Sequence, residues 1–103
     1  MRVIALKTLR DFIVQHPSSK PALLAWYEEA GKAKWQKPMD IKKQFANVSF
    51  IGQNRVIFNI KGNDYRLIVA IAYRLGVVYI KFVGTHKQYD VVNASTIDMN
   101  WSE

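Results

Sequence analysis

None of the chain's 103 residues is a cysteine. That absence excludes disulfides, thiolate metal sites and cysteine nucleophiles, and it fits a reducing compartment. No apolar run approaches the roughly 18 residues that span a bilayer. The opening Met1-Arg2-Val3-Ile4-Ala5-Leu6-Lys7 has too short an apolar stretch for a signal peptide. The expectation is a cytoplasmic protein with no membrane partner. Two histidines are too few for a His-rich metal cluster, so no metal and no cofactor is expected. A Walker loop, a dinucleotide glycine motif, a His-Glu-x-x-His helix and a nucleophile elbow are all missing.

Acids are scarce in the middle of the chain. From Lys32 to Lys87 there are eleven lysines and arginines against two carboxylates, Asp40 and Asp64; the other six acids lie in the flanks. The net charge of +7 is therefore concentrated in the central region, the footprint of a partner for nucleic acid or for an acidic protein rather than of charge spread for solubility. The same scarcity leaves no carboxylate pair for glycoside hydrolysis or two-metal nuclease chemistry.

What is present suffices for one domain over residues 1–103, since half the residues are apolar. Residues 2–5 read as a short strand. Leu9, Phe12 and Ile13 follow helical spacing until Pro17 stops the run, leaving His16 at a helix C-terminus, where a histidine has a structural role through the helix dipole. Ser18 or Ser19 is the expected cap of a second helix, with Pro21 in its first turn and Leu23, Trp26, Tyr27 and Ala30 as its apolar stripe. Trp35 extends that surface. Asp40 is the expected cap of a short helix carrying Ile41 and Phe45, from which Lys42 and Lys43 project.

Residues 48–51, 55–61, 65–73 and 77–85 then read as strands, joined by the short links Gly-Gln-Asn, Lys-Gly-Asn-Asp and Arg-Leu-Gly, which require antiparallel neighbours. The fold class is α+β, with the helices on one face of the sheet. Alternation places Val56, Phe58, Ile60, Tyr65, Leu67, Val69, Ile71, Val78, Ile80 and Phe82 on the covered face. The opposite face receives Arg55, Ile57, Asn59, Lys61, Arg66, Ile68, Ala70, Ala72, Arg74, Tyr79, Lys81, Val83 and Thr85. It reads as an open, cationic face: either a shallow trough for a phosphate backbone or an ordinary solvated sheet face with lysines. Arg55, Asn59, Lys61 and Lys81, with Lys42 and Lys87 beside them, are the candidate RNA contacts. From Ser95 onward no pattern is visible.

The chemistry-bearing stretch is Gly84-Thr85-His86-Lys87-Gln88-Tyr89-Asp90, where a strand gives way to a polar turn. Histidine ionises near pH 6.5, and a cap at Thr85 would set His86 and Tyr89 on one helical face. Such a turn is more often an ordinary solvated corner than a catalytic site. The reaction that fits is RNA cleavage without a metal, in which the substrate's own 2′-hydroxyl attacks the adjacent phosphate. It needs a proton acceptor, a proton donor and fixed cations, a set that Arg66, Lys81, His86 and Tyr89 can supply.

In their order and spacing, Asp40-Ile41-Lys42, the run from Asn54 to Asn63, Tyr65-Arg66-Leu67 and the stretch from Gly84 to Asp90 resemble the HigB toxins of bacterial toxin–antitoxin modules, within the RelE/ParE superfamily. The resemblance extends upstream through His16-Pro17 and Trp26-Tyr27 to Trp35. It implies a RelE-like fold: two N-terminal helices packed on one face of a mainly antiparallel sheet, with a short C-terminal helical turn. It further implies an mRNA interferase acting on translating ribosomes, and a HigA-like antitoxin with a helix-turn-helix domain. Carried onto this chain, Arg66 would stabilise the transition state, His86 and Tyr89 would share the acid and base roles, and Lys61, Lys81 and Lys87 would bind phosphates. Two other readings keep the fold without the chemistry: a ParE-like inhibitor of DNA gyrase, and a passive RNA-binding module.

Overall fold

The computed structural model of the chain describes residues 1–52 and 54–99; Gln53 of the Gly-Gln-Asn link lies outside them. The element order is β1 (Arg2–Ile4), α1 (Leu6–Gln15), a 3-10 turn (Pro17–Ser19), α2 (Lys20–Lys32), α3 (Pro38–Gln44), β2 (Ser49–Ile51), β3 (Arg55–Ile60), β4 (Tyr65–Ala72), a second 3-10 turn (Tyr73–Leu75), β5 (Val77–Thr85) and α4 (His86–Asp90). The five strands form one sheet in the order β1-β5-β4-β3-β2. β2 to β5 make an antiparallel meander, and β1 joins the far edge parallel to β5. The architecture is α+β, with α1 and α2 on one face. Among the described residues no helix is long and apolar enough to cross a membrane.

The predicted helical stripes are the ones buried. Leu9 and Phe12 of α1, Leu23, Trp26 and Ala30 of α2, then Trp35 and Ile41, pack on Val56, Phe58, Ile60, Tyr65, Leu67, Val69, Ile71, Val78 and Ile80. Aromatic rings dominate the centre: Phe58 meets Trp26 edge-on at 5.4 Å and Phe45 at 5.1 Å, and lies nearly parallel to Trp35 at 6.3 Å. Such pairs add to the apolar area they bury.

Two expected caps differ in the structure. Neither serine caps α2 with its side chain. The Ser19 hydroxyl donates to the His16 carbonyl at 2.7 Å, and the Ser18 hydroxyl is engaged with the Tyr65 hydroxyl at 2.5 Å. Both oxygens are taken up by the α1–α2 corner. The short helix begins at Pro38, two residues before Asp40, because proline suits a first helical turn where its missing N–H is not needed. Asp40 instead accepts from the Gln36 amide at 2.9 Å.

The face assignment holds along β3, β4 and the first half of β5, and then reverses. Ile68 pairs with Phe82 and Val69 with Ile80, so Lys81 is an extra residue in β5. A bulge of this kind inverts the alternation beyond it. Val83 therefore enters the helix-covered core, and Thr85, opposite Tyr65, follows it to that side. Phe82 turns the other way and joins Ile57 and Ile68 in a separate buried cluster.

Nor is the second face an open trough. Tyr89, Val92, Ala94 and Ile97 close over Ile57, Ile68 and Phe82, with Ile51 at the margin. The segment is fastened by polar ties as well. The Arg55 guanidinium donates to the carbonyls of Ala94 (3.0 Å) and Ile97 (2.8 Å), Lys81 pairs with Asp98 at 3.1 Å, and the Met99 amide donates to the Lys81 carbonyl at 2.8 Å.

Candidate active site

The β5–α4 corner is built by four residues of the run from Gly84 to Gln88. At Gly84 a Cβ would stand 2.5 Å from Cζ of Phe82 and 3.0 Å from Oε1 of Gln88, so a larger residue would displace both. Thr85 is extended and caps α4 as expected from the sequence. Its hydroxyl accepts from the Gln88 amide at 3.2 Å, and the Gln88 side chain accepts from the Thr85 amide at 2.8 Å. This reciprocal box satisfies two amides that a five-residue helix would otherwise leave unpaired. The His86 amide then donates to the Asp64 carbonyl at 3.1 Å, which fixes the corner against the β3–β4 turn.

Arg66 lies directly across the strand pair from Gly84. The glycine puts no side chain beside it, and the guanidinium leans to within 5.7 Å of the Tyr89 ring centroid, a cation–π distance. One guanidinium nitrogen donates to the carbonyls of Asn63 (3.1 Å) and Tyr65 (3.4 Å). Tyr89 rests on the Ile57–Ile68–Phe82 cluster, which sets its ring plane. Two of the three predicted catalytic residues thus meet on the second face.

His86 is half exposed and pairs with Asp90 at 3.6 Å, a contact that becomes an ion pair when the imidazole is protonated. It borders a shallow depression with Lys87, Thr85, Tyr65, Asp64, Asn63 and His16, and Tyr89 does not line that depression. The corner therefore offers two adjoining surfaces, with Arg66 and Tyr89 on one and His86 and Lys87 on the other.

The remaining predicted RNA contacts divide by position. Asn59 is exposed opposite Arg66, and Lys61 opens the adjoining turn with its ammonium 4.0 Å from Asp64. Both stand at the Arg66 end of the sheet. Lys42 is turned to the carbonyls of Ala46 (2.6 Å) and Val48 (3.5 Å) behind its own helix. Arg55 and Lys81 are occupied by the C-terminal segment. Away from the corner, burial and then the nearby Asp40 carboxylate push the Tyr73 phenol above its ordinary value of 10.0, so it is a poor acid–base group near neutrality. Among the described residues no three His, Asp or Glu side chains gather as a metal would require.

Sequence reasoning missed the partner of His86, the position of His16 on the same depression, and the cover over the second face. A signal for the cover existed in the apolar Val92, Ala94 and Ile97 followed by an acid, Asp98.

Comparison with known proteins agrees with this architecture. Residues 19–92 match the family model described as HigB_toxin, RelE-like toxic component of a toxin-antitoxin system. The chain is 31% identical over 97 residues to the mRNA interferase toxin HigB of Escherichia coli strain K12, an alignment covering 91% of this chain and 92% of that protein. The same identity and coverage hold for the mRNA interferase HigB of Escherichia coli O157:H7 and that of Shigella flexneri. On a family match spanning the second helix, the whole meander and the β5–α4 corner, this chain belongs to the HigB toxins, RelE-like toxic components of toxin–antitoxin systems.

Proposed function

We propose that the chain, as a single toxin domain over residues 1–103, is an mRNA interferase: a cytoplasmic endoribonuclease that cleaves messages on the translating ribosome and so arrests translation and growth. The observation that carries this reading is the meeting of Arg66 and Tyr89, 5.7 Å apart, at the foot of the helix that begins with His86. The relatives' names supply the substrate class.

In the reaction a base takes the proton of the 2′-hydroxyl, the oxygen attacks the adjacent phosphorus, and a 2′,3′-cyclic phosphate forms as the bond to the 5′-oxygen breaks. An acid then protonates the departing oxygen. Arg66 holds the charge that builds on the phosphoryl oxygens, and its contacts to the Asn63 and Tyr65 carbonyls support this reading because they limit the reorganisation required. His86 and Tyr89 share the proton transfers, with Asp90 at 3.6 Å stabilising the imidazolium. Lys61, Lys87 and Asn59 line the approach. The corner provides no enclosed cleft to orient a substrate, so the ribosome supplies the positioning. A HigA-like antitoxin with a helix-turn-helix domain is the partner that silences it, and an acidic surface would complement the chain's net charge of +7.

Primer extension on a reporter message in a cell-free translation reaction tests the proposal. Wild type should give discrete cleavages during translation and few on naked RNA. Arg66→Ala should lower the rate by about 10²-fold or more, the usual loss when one oxyanion donor is removed. His86→Ala should lower it by a smaller factor and alter its pH dependence. Translation arrest with the message intact would overturn the nuclease reading in favour of a non-cleaving inhibitor.

A further inference from the structure

Both histidines of the chain border one depression. His16 comes from the end of α1, Asn63 and Asp64 from the β3–β4 turn, Tyr65 from β4, and Thr85, His86 and Lys87 from the β5–α4 corner; together they line a shallow, open depression of about 390 Å³. That volume lies toward the lower end of ligand pockets, about 300–1,000 Å³. Three distant parts of the sequence converge there, and each is fixed. The His16 ring stacks on Phe12 at 4.4 Å and 25° and stands edge-on to Tyr65 at 6.1 Å. Tyr65 is tied to Ser18, and the His86 amide to Asp64.

A purely structural role for His16 leaves its chemistry unused. The backbone of His16 serves the helix end, its amide donating to the Phe12 carbonyl at 2.8 Å. Phe12 covers one face of the half-buried ring, and among the described residues no hydrogen bond holds either imidazole nitrogen. A stacked apolar ring would pack there equally well. What an imidazole adds is a polar edge that can carry a proton, on the same depression as a second imidazole and a lysine.

The charges around the depression set its ligand class. Its cations are Lys87, Lys61 at the turn and, when protonated, His16 and His86; its carboxylates are Asp64, 4.0 Å from Lys61, and Asp90, 3.6 Å from His86. Asp11, one turn before His16 on α1, is held by Lys7 at 2.7 Å. Four cations therefore face two carboxylates when both histidines are charged, and two face two when neither is. A mono-anionic phosphodiester fits the first state, and Asn63 supplies a neutral polar contact for a base edge.

We propose that this depression is a nucleotide subsite, taking one unpaired RNA nucleotide next to the scissile phosphate, with His16 as a phosphate-binding residue alongside His86 and Lys87. The proposal rests on the mRNA-cleavage reading and adds to it a residue on α1, outside the strand–helix corner. Because the bound phosphate favours the charged imidazoles, nucleotide affinity increases as pH falls through the histidine range, and the bound nucleotide raises both imidazole midpoints.

With two histidines in the chain, an NMR spectrum holds two imidazole Cε1–H signals, assigned with His16→Gln and His86→Gln. The probe is a 2′-O-methyl dinucleotide monophosphate, which cannot undergo 2′-hydroxyl attack; the matching nucleoside without phosphate is the control. Both signals should move in one saturable titration with the dinucleotide and stay still with the nucleoside. Affinity should improve about threefold or more from pH 7.5 to 5.5, and His16→Gln should weaken it about fivefold or more. His16→Phe keeps the stack on Phe12, and its weakened binding would separate the imidazole's role from packing. Movement of the His86 signal alone, or of neither, overturns the subsite. Wild-type cleavage that persists at full rate in both His16 variants, with a silent His16 signal, sinks this inference and leaves the nuclease standing. Intact messages with both imidazoles shifting would sink the nuclease reading and, with it, the place beside a scissile phosphate, leaving the depression as a nucleotide-binding site alone.

Discussion

The two faces of the sheet are buried by different means. On the helix side, eighteen of the described residues are buried in one continuous core with little polar content, closed by helices whose stripes match the strand alternation. On the other side three buried residues, Ile57, Ile68 and Phe82, lie under a segment without regular structure that is fastened by Arg55, Lys81 and backbone contacts. The first face supplies stability. The second is smaller and more polar, and it carries Arg66 and Tyr89. The groups proposed for catalysis, which must meet a large substrate, stand where little apolar area is at stake.

The comparison breaks if the second layer proves to be as strong as the first. Phe58 is 1% exposed at the centre of the aromatic cluster, so Phe58→Ala should cost about 3–5 kcal/mol, a large part of a typical stability of about 5–15 kcal/mol. Phe82→Ala, beneath the C-terminal segment, should cost visibly less, about 2–3 kcal/mol, because the looser cover can settle into the space. Urea unfolding followed by tryptophan fluorescence measures both. Equal losses would make the second layer a core in its own right.

Gly84→Ala probes the join between the faces. The new methyl meets the Phe82 ring and the Gln88 side-chain oxygen Oε1 that closes the capping box. Overpacking of this kind costs about 1–3 kcal/mol. The larger consequence is for cleavage, since displacing the Gln88 side chain opens the capping box that seats α4, and a shift of about 1 Å can lower a rate on the order of 10²-fold. Cleavage in the translation assay should collapse while the folded fraction at 25 °C stays high. Unchanged cleavage would show that the position of α4 does not matter. Arg55→Ala acts on the cover alone. Losing two charge-assisted bonds to carbonyls should cost about 1–2 kcal/mol, and the Met99 amide should then exchange its hydrogen faster. An unaltered Met99 exchange rate would mean that the apolar contacts hold the segment by themselves.

How much of this was legible follows from the same contrast. Helical spacing and strand alternation revealed the helix-side core, since both periods reflect burial on a single large surface. Alternation failed at Lys81, where one unpaired residue reverses every later side chain, and no residue in Ile80-Lys81-Phe82-Val83 announces a bulge. Thr85-His86-Lys87-Gln88 was readable as a capped turn because a capping box is local chemistry. The pairing of Arg66 with Tyr89 follows from the register opposite Gly84, which the sequence pattern left unspecified. Arg55 and Lys81 read as free cations because their partners, two carbonyls and Asp98, lie far along the chain. Single-residue polarity does not encode such contacts.

The smallest expected effect has the opposite sign in stability and in function. Lys61 has φ +53°, and Gly62 beside it φ +65°, in the turn that carries the β4 end of the site. A left-handed conformation costs an L-residue with a Cβ about 1–2 kcal/mol, which glycine avoids. Glycine also has more freedom to lose on folding, and the exposed pair with Asp64 at 4.0 Å contributes little. Lys61→Gly should therefore raise stability by about 0–1 kcal/mol, read as a small rise in the urea midpoint. The same change removes a cation from the approach to Arg66, so RNA binding should weaken and the slope of log affinity against log salt should fall by about 0.7, the value of one single-strand phosphate contact. A lysine kept where glycine is the easier fit is explained if its ammonium is used. A variant that gains stability and binds RNA with the original salt slope would remove that explanation and leave the positive φ as a feature of the turn alone.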